Sequence, residues 1–336
     1  MGKTRSFFLV WLMLAAVLPA EREIAAAEEP PRPTITIAFT SFRDDNRYPN
    51  IFRYVLSPAG EGKLLGKLPP VTKRSDHHPS LGRDGKTGVI AGEVVGAVNQ
   101  ILLWDVPSNK TIPLPSLNIT TKAQMAPSYC SAKRLIAFEA WNRPGSSGRW
   151  DVLLYDVAGK RFVDTPKLNS AKFDERKPAI SADGNWIAFT TNESSEESLT
   201  DIRLYDRKKG EVVDLPDLNT TSMDTEPSLS NDGRWLAFVS GRSGGEGVRD
   251  VYLYDRIKQE LLPLPGLNSP GQEQSPSISA DGRFIAFVSE RLGAAGERDI
   301  FLYDRLAQKL VPTPDLNSPT DEYDPCVVVL DESGSD

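Results

Sequence analysis

PSLSNDGRWLAFVSGRSGGEGVRDVYLYDR (227–256) and PSISADGRFIAFVSERLGAAGERDIFLYDR (276–305) are two copies of one unit, 49 residues apart. The same unit recurs more loosely upstream. Its anchoring prolines are Pro79, Pro127, Pro178, Pro227, Pro276 and Pro325, with gaps of 48, 51, 49, 49 and 49 residues. A period of this size containing four strand-like runs is the signature of a β-propeller blade. Stacked units share one continuous core, so the 336 residues are expected to build one domain where length alone suggests two.

Each unit reads as a four-stranded meander. A short run after the proline leads into Asp-Gly, at Asp84-Gly85, Asp183-Gly184, Asp232-Gly233 and Asp281-Gly282. Glycine there supplies the positive φ of a tight hairpin. The second run, such as Trp235 to Val239, is apolar without alternation and must be covered on both faces. The third run closes on an aspartate, at Asp105, Asp156, Asp206, Asp255 and Asp304, read as an Asx-turn residue. The fourth ends in Pro-x-Leu-Asn, where Asn118, Asn169, Asn219, Asn268 and Asn317 are expected to cap backbone.

Counting runs gives the closure. Five units are complete, placing blades 2–6 at about 72–121, 122–171, 172–221, 222–270 and 271–320. Residues 34–70 hold only the last three strands of a unit, and 325–330 supplies a lone first strand. Joining them makes a sixth blade and removes two open sheet edges. The expectation is an all-β, six-bladed propeller over 34–331, with four antiparallel strands per blade and a polar tail at 332–336.

Residues 1–27 have the layout of a secretory signal peptide: Lys3 and Arg5, an apolar run from Phe7 to Ala20, then Ala25-Ala26-Ala27. Cleavage after Ala27 is preferred, with Ala20 the second candidate; 28–33 is a short linker. The rival, an uncleaved anchor, must contend with an apolar run shorter than the roughly 20 residues that span a bilayer. Removing this segment takes three cations and two acids from a chain of formal charge −7, leaving −8. Such a balance argues against nucleic acid, which calls for a basic footprint. Cys130 and Cys326 fall in repeats that are not adjacent in the ring, so two separate thiols are expected rather than a disulfide.

The pattern P-S-x-S-x-D-G-R-x-x-A-F-V-S, followed after a loop by x-D-x-x-L-Y-D-R, resembles the propeller repeat of the TolB family. It is clearest at 227–256 and 276–305, and weakest at 127, where Ser131-Ala132-Lys133-Arg134 replaces Asp-Gly. The resemblance implies a secreted or periplasmic propeller that binds an envelope protein or peptide at its central opening. That family carries a further α/β domain ahead of the propeller, whereas here strand-forming sequence begins by Ile35, so only the propeller's part is expected.

Three residues before each proline stand Asp76, Gln124, Glu175, Asp224, Glu273 and Glu322, expected as an acidic ring at the channel mouth. Converging carboxylates invite a hard cation, so Glu175, Asp224 and Glu273 are candidate calcium ligands. They would equally attract a basic segment of a partner, or stand as solvated loop acids inherited with the repeat. Trp141 and Trp150 are candidate anchors in the loops joining second and third strands. His77 and His78 precede Pro79 and are candidates for the same mouth; as neighbours in an extended segment they are expected to point apart. Gly241-Arg242-Ser243-Gly244-Gly245 matches a hydrolase pattern but lies between two strands, where the pattern requires a strand followed by a helix. A monomeric, non-catalytic binding propeller is therefore the expectation, with a calcium-dependent hydrolase or lactonase and a glycan-binding propeller as its rivals.

Overall fold

A computed structural model describes residues 32–44, 47–68, 75–93, 99–118, 123–141, 150–193 and 199–330. Residues 1–27, expected as a signal peptide, and the tail expected at 332–336 lie outside the described residues. Six four-stranded antiparallel sheets form the ring, and among the described residues there is no helix. Blade 1 joins the two ends of the chain: Glu322–Leu330 pairs with Thr34–Ser41, from Thr34 opposite Leu330 to Ser41 opposite Glu322. The other inner strands are Asp76–Leu81, Gln124–Cys130, Glu175–Ile180, Asp224–Leu229 and Glu273–Ile278.

The unalternated second strands are buried throughout, as in Leu236, Ala237, Phe238 and Val239. Their two faces meet different blades. Ala237, Val239, Val251 and Leu253 of blade 5, for instance, pack on Ile278, Ile285, Phe287 and Tyr303 of blade 6. The repeated asparagines cap as expected. Asn219 accepts from the Ile202 N–H at 2.8 Å and donates to its carbonyl at 2.9 Å, and Asn118, Asn169, Asn268 and Asn317 do the same for Ile101, Val152, Val251 and Ile300. The closing aspartates accept from the next turn's N–H groups, as Asp206 does from Lys208 and Lys209.

A bulge interrupts every inner ladder at the residue pair X-Pro: register shifts fall between His77 and Ser80, Met125 and Ser128, Arg176 and Ala179, Thr225 and Ser228, and Gln274 and Ser277. In blade 1 it falls opposite Asp324-Pro325. Proline has no N–H for a ladder and fits a bulge without loss. The residue before it takes a left-handed backbone in all six blades: His78, Ala126, Lys177, Glu226, Ser275 and Asp324 have φ between 46° and 55°. Beyond the bulge the inner strands are linked side by side. Ser80, Ser128, Ser228 and Ser277 each accept, at 3.0 Å, from an N–H of the next blade's inner strand, and the Cys326 thiol does so from Leu81 at 3.2 Å. Ala179 stands at the sixth position of this belt and has no oxygen to offer.

Candidate functional site

The ring of acids lies elsewhere than expected. Asp76, Gln124, Glu175, Asp224, Glu273 and Glu322 are all buried, and none of them lines the channel. The carboxylates of Glu175, Asp224, Glu273 and Glu322 each accept from an N–H at the end of the preceding blade, whereas Gln124 donates its Nε2 to the Leu117 carbonyl at 3.3 Å. Asp224 accepts from Thr220 at 2.7 Å and from Arg242 at 3.0 Å, while Arg242 also donates to the Leu218 carbonyl of the preceding blade at 2.7 Å. Ser-x-Arg at Ser41-Phe42-Arg43 and Ser289-Glu290-Arg291 repeats this arrangement on Glu322 and Glu273. Each guanidinium lies over aromatic rings of its own blade, as Arg242 does over Tyr252 at 4.6 Å. Burial pushes the Glu273 and Glu322 carboxyls up, and their serine hydrogen bonds oppose the shift.

Glu175 lacks such an arginine. Burial, together with Asp151, Asp174 and Glu193, pushes it up to about 8 against the hydrogen bond from Ser170. Calcium does not fit these residues: Glu175, Asp224 and Glu273 sit in three different blades, and the last two already serve serine, threonine and arginine donors. Among the described residues no group of three or more His, Cys, Asp or Glu side chains converges on a metal position.

The channel mouth is built instead by the residues directly before the prolines. They rim a cavity of about 210 Å³ whose wall is the six X-Pro-Ser or X-Pro-Ala/Cys corners. A second cavity of about 100 Å³ continues toward the Asp-Gly hairpins, past Arg83 and Asn231. At the rim Lys177 pairs with Glu226 at 2.5 Å, and the other Glu226 oxygen accepts the Ser275 N–H at 2.6 Å. On the far side, across the chain closure, His78 Nε2 stands 3.8 Å from Asp324, which also accepts from Thr40 at 3.3 Å. Ala126 and Ser275 occupy the two remaining places, three blades apart and so opposite one another. The mouth therefore carries one Lys–Glu ion pair and one His–Asp contact with a gap between them, not a ring of acids.

His77 and His78 do not point apart. The left-handed backbone at His78 brings the rings edge to face at 4.9 Å. Burial and then the neighbouring His78 lower His77 to about 4, and its Nε2 lies 3.1 Å from Asn99 Nδ2. Trp141 and Trp150 face each other across the strands of blade 3 at 5.1 Å, half-buried, with Arg176 of blade 4 stacked on Trp150 at 4.4 Å. The loop between them, 142–149, lies outside the described residues. Both cysteines are free thiols, and burial raises both, Cys326 to about 11. In the hydrolase-like stretch, Arg242 is the blade staple on Asp224.

The register position three before proline is a carboxylic acid in five of the six blades and glutamine in the sixth. Constancy across six blades marks a framework role. The position directly before proline runs His, Ala, Lys, Glu, Ser, Asp, and that variation on a fixed scaffold was the signal for the half-buried rim.

No family model matches this sequence, and no curated protein is similar to it by sequence. Solved structures are similar in shape. TolB from Acinetobacter baumannii superposes with a TM-score of 0.59 at 17% identity, over 87% of this chain and 66% of that one. The fold is similar to that of a TolB propeller. A chain of a nidogen/laminin complex matches at 0.57 and 11% identity over 88% of this chain and 98% of its own. Hydrazine synthase from Kuenenia stuttgartiensis matches at 0.59 and 13%, over 90% of this chain and 47% of its own. This chain thus spans less than two thirds of the TolB and hydrazine synthase chains. Partners this diverse share an architecture, and an architecture does not carry a function.

Proposed function

We propose that this protein is a non-catalytic propeller that binds a protein or peptide at its channel mouth, in a secreted or periplasmic setting. The observation that carries the reading is the six-fold set of bulged, left-handed residues before proline. Backbone strain of about 1–3 kcal/mol per non-glycine residue persists only where the surrounding structure enforces it, and here it turns six variable side chains into one opening. Donor and acceptor stand side by side in Lys177–Glu226 and in His78–Asp324. That is what the alternating N–H and C=O groups of an extended peptide require, and a peptide lying from Ala126 to Ser275 would pass between the two pairs. Exposed Val248 and Leu292, in loops on the same face, add apolar contact. TolB and the nidogen/laminin complex offer the analogy of propellers in protein assemblies.

The reading is tested by affinity capture from an envelope extract of the source cells. Wild-type protein should retain a protein that Lys177→Gln/Glu226→Gln loses and that Lys258→Gln, on the opposite face, keeps. Recovery of polysaccharide alone would favour the glycan reading instead. Retention by all three proteins would remove the mouth from the account.

A further inference from the structure

The seam between blades 1 and 2 departs from every other seam, and it does so at four places. Arg53 occupies the third-strand position that is leucine in all five other blades: Leu103, Leu154, Leu204, Leu253 and Leu302, each buried. Trp104 replaces the tyrosine that elsewhere reaches the preceding blade, as Tyr254 reaches the Pro216 carbonyl at 2.7 Å and Tyr303 the Pro265 carbonyl at 3.0 Å. Blade 1 reads Leu68-Pro69-Pro70 where the other blades read Pro-x-Leu-Asn, the motif whose proline carbonyl receives Tyr254 and Tyr303. Finally, the outer strand Gly62–Lys67 slips register opposite Arg53, with Gly66 at φ +84°.

The result is a recess of about 180 Å³ walled by Leu65, Leu68, Val106 and Pro107, with Arg53 and Trp104 facing into it. Trp104 is 1% exposed and its indole N–H has no partner. The half-buried Arg53 guanidinium meets no hydrogen-bond or ion-pair partner among the described residues, and no carboxylate lines the recess. Asn109 closes one side through its bond to the Lys67 carbonyl at 3.3 Å. A buried donor and a cation without counter-ion are both expensive to leave unmatched.

We propose that this recess binds a small carboxylate with a compact apolar body. The carboxylate pairs with the planar guanidinium fork, which suits two parallel N–H···O bonds, and the indole N–H supplies a third donor. The leucines, valine and proline take the apolar body. The ligand replaces the leucine and the tyrosine contact that other seams use, and so ties blade 1 to blade 2. The site is separate from the channel mouth and does not depend on what binds there.

The test uses the full chain at constant ionic strength, titrated with benzoate, 3-methylbutanoate or inorganic phosphate while thermal unfolding and tryptophan emission are followed. A saturable rise in unfolding temperature with at least one carboxylate is expected, with a change in emission. Arg53→Leu restores the residue of the other blades; it should unfold no lower than wild type without ligand and lose the carboxylate response. Trp104→Phe should weaken the carboxylate at least about 5-fold, the worth of one lost hydrogen bond. Arg53→Gln serves if the leucine variant does not fold. An equal response in the Arg53 variant, no response to either carboxylate up to about 10 mM, or a response to phosphate alone would overturn the proposal.

Discussion

Replacing Glu175 by glutamine should remove a pH dependence that the fold imposes on itself. In blades 1, 5 and 6 the equivalent carboxyl faces an arginine from Ser-x-Arg. Blade 4 has Thr191-Asn192-Glu193 instead, so a second acid stands where the cation belongs. One Glu175 oxygen accepts from the Ser170 N–H at 3.1 Å, and the other is buried without a partner. Burial and like charges raise its value from an ordinary 4.5 to about 8. Between those values the folded chain keeps a proton that the unfolded chain releases, so stability falls as pH rises. The slope is at most roughly 1.4 kcal/mol per pH unit, giving a ceiling of roughly 3 kcal/mol between pH 5 and 7. Urea unfolding of wild type and Glu175→Gln at pH 5, 6, 7 and 8, followed by tryptophan fluorescence, isolates this residue as the difference between two curves. The two proteins should be similar at pH 5 and diverge upward in favour of the variant. Parallel curves would refute the reasoning, because they would mean that the folded protein holds Glu175 ionised at no penalty.

His77 gives the opposite limb. Its value is lowered to about 4, so the unfolded chain takes up a proton below about 6.5 that the folded chain refuses, and stability is lost as pH falls toward 4. His77→Gln should flatten that acid limb in the same urea assay; an unchanged limb would count against a neutral buried imidazole. Ala179→Ser should complete the belt of inner-strand hydrogen bonds and raise stability by about 0.5–1.5 kcal/mol, read as a higher urea midpoint at unchanged slope; a lower midpoint would show that the hydroxyl finds no N–H there. Arg242→Ala removes the cation from buried Asp224 and should cost roughly 3–5 kcal/mol, several times the loss from Lys258→Ala, whose partner Glu260 is exposed.

The fold was legible because the repeat writes each structural need several times over, Asp-Gly in four units and the capping asparagine in five. Asp-Gly gives the hairpin, the unalternated second strand gives burial on both faces, and Pro-x-Leu-Asn gives the cap that the structure shows at Asn118, Asn169, Asn219, Asn268 and Asn317. The site was less legible because one backbone event moved it. A bulge at X-Pro turns the residue before proline into the channel, and in the same strand the residue two earlier stays buried between blades. The period-2 alternation of a regular strand cannot reveal that. Glu175 and Glu273 therefore read as mouth residues in sequence and turn out to be framework. Arg53 and Trp104 escaped notice for a different reason: blade 1 is split between the two ends of the chain, so its third strand is hardest to align with the others, and Arg53 is conspicuous only beside five leucines.

The most direct test of the binding account is site-specific photo-crosslinking in the source cells, with a benzophenone side chain placed at residue 126 or at residue 257. Ala126 rims the mouth, and Ile257 is exposed on a hairpin tip of the opposite face. The account predicts a discrete protein adduct from position 126 and none from position 257. Adducts from 257 alone, or from neither position in protein that folds and accumulates normally in the cells, would contradict it.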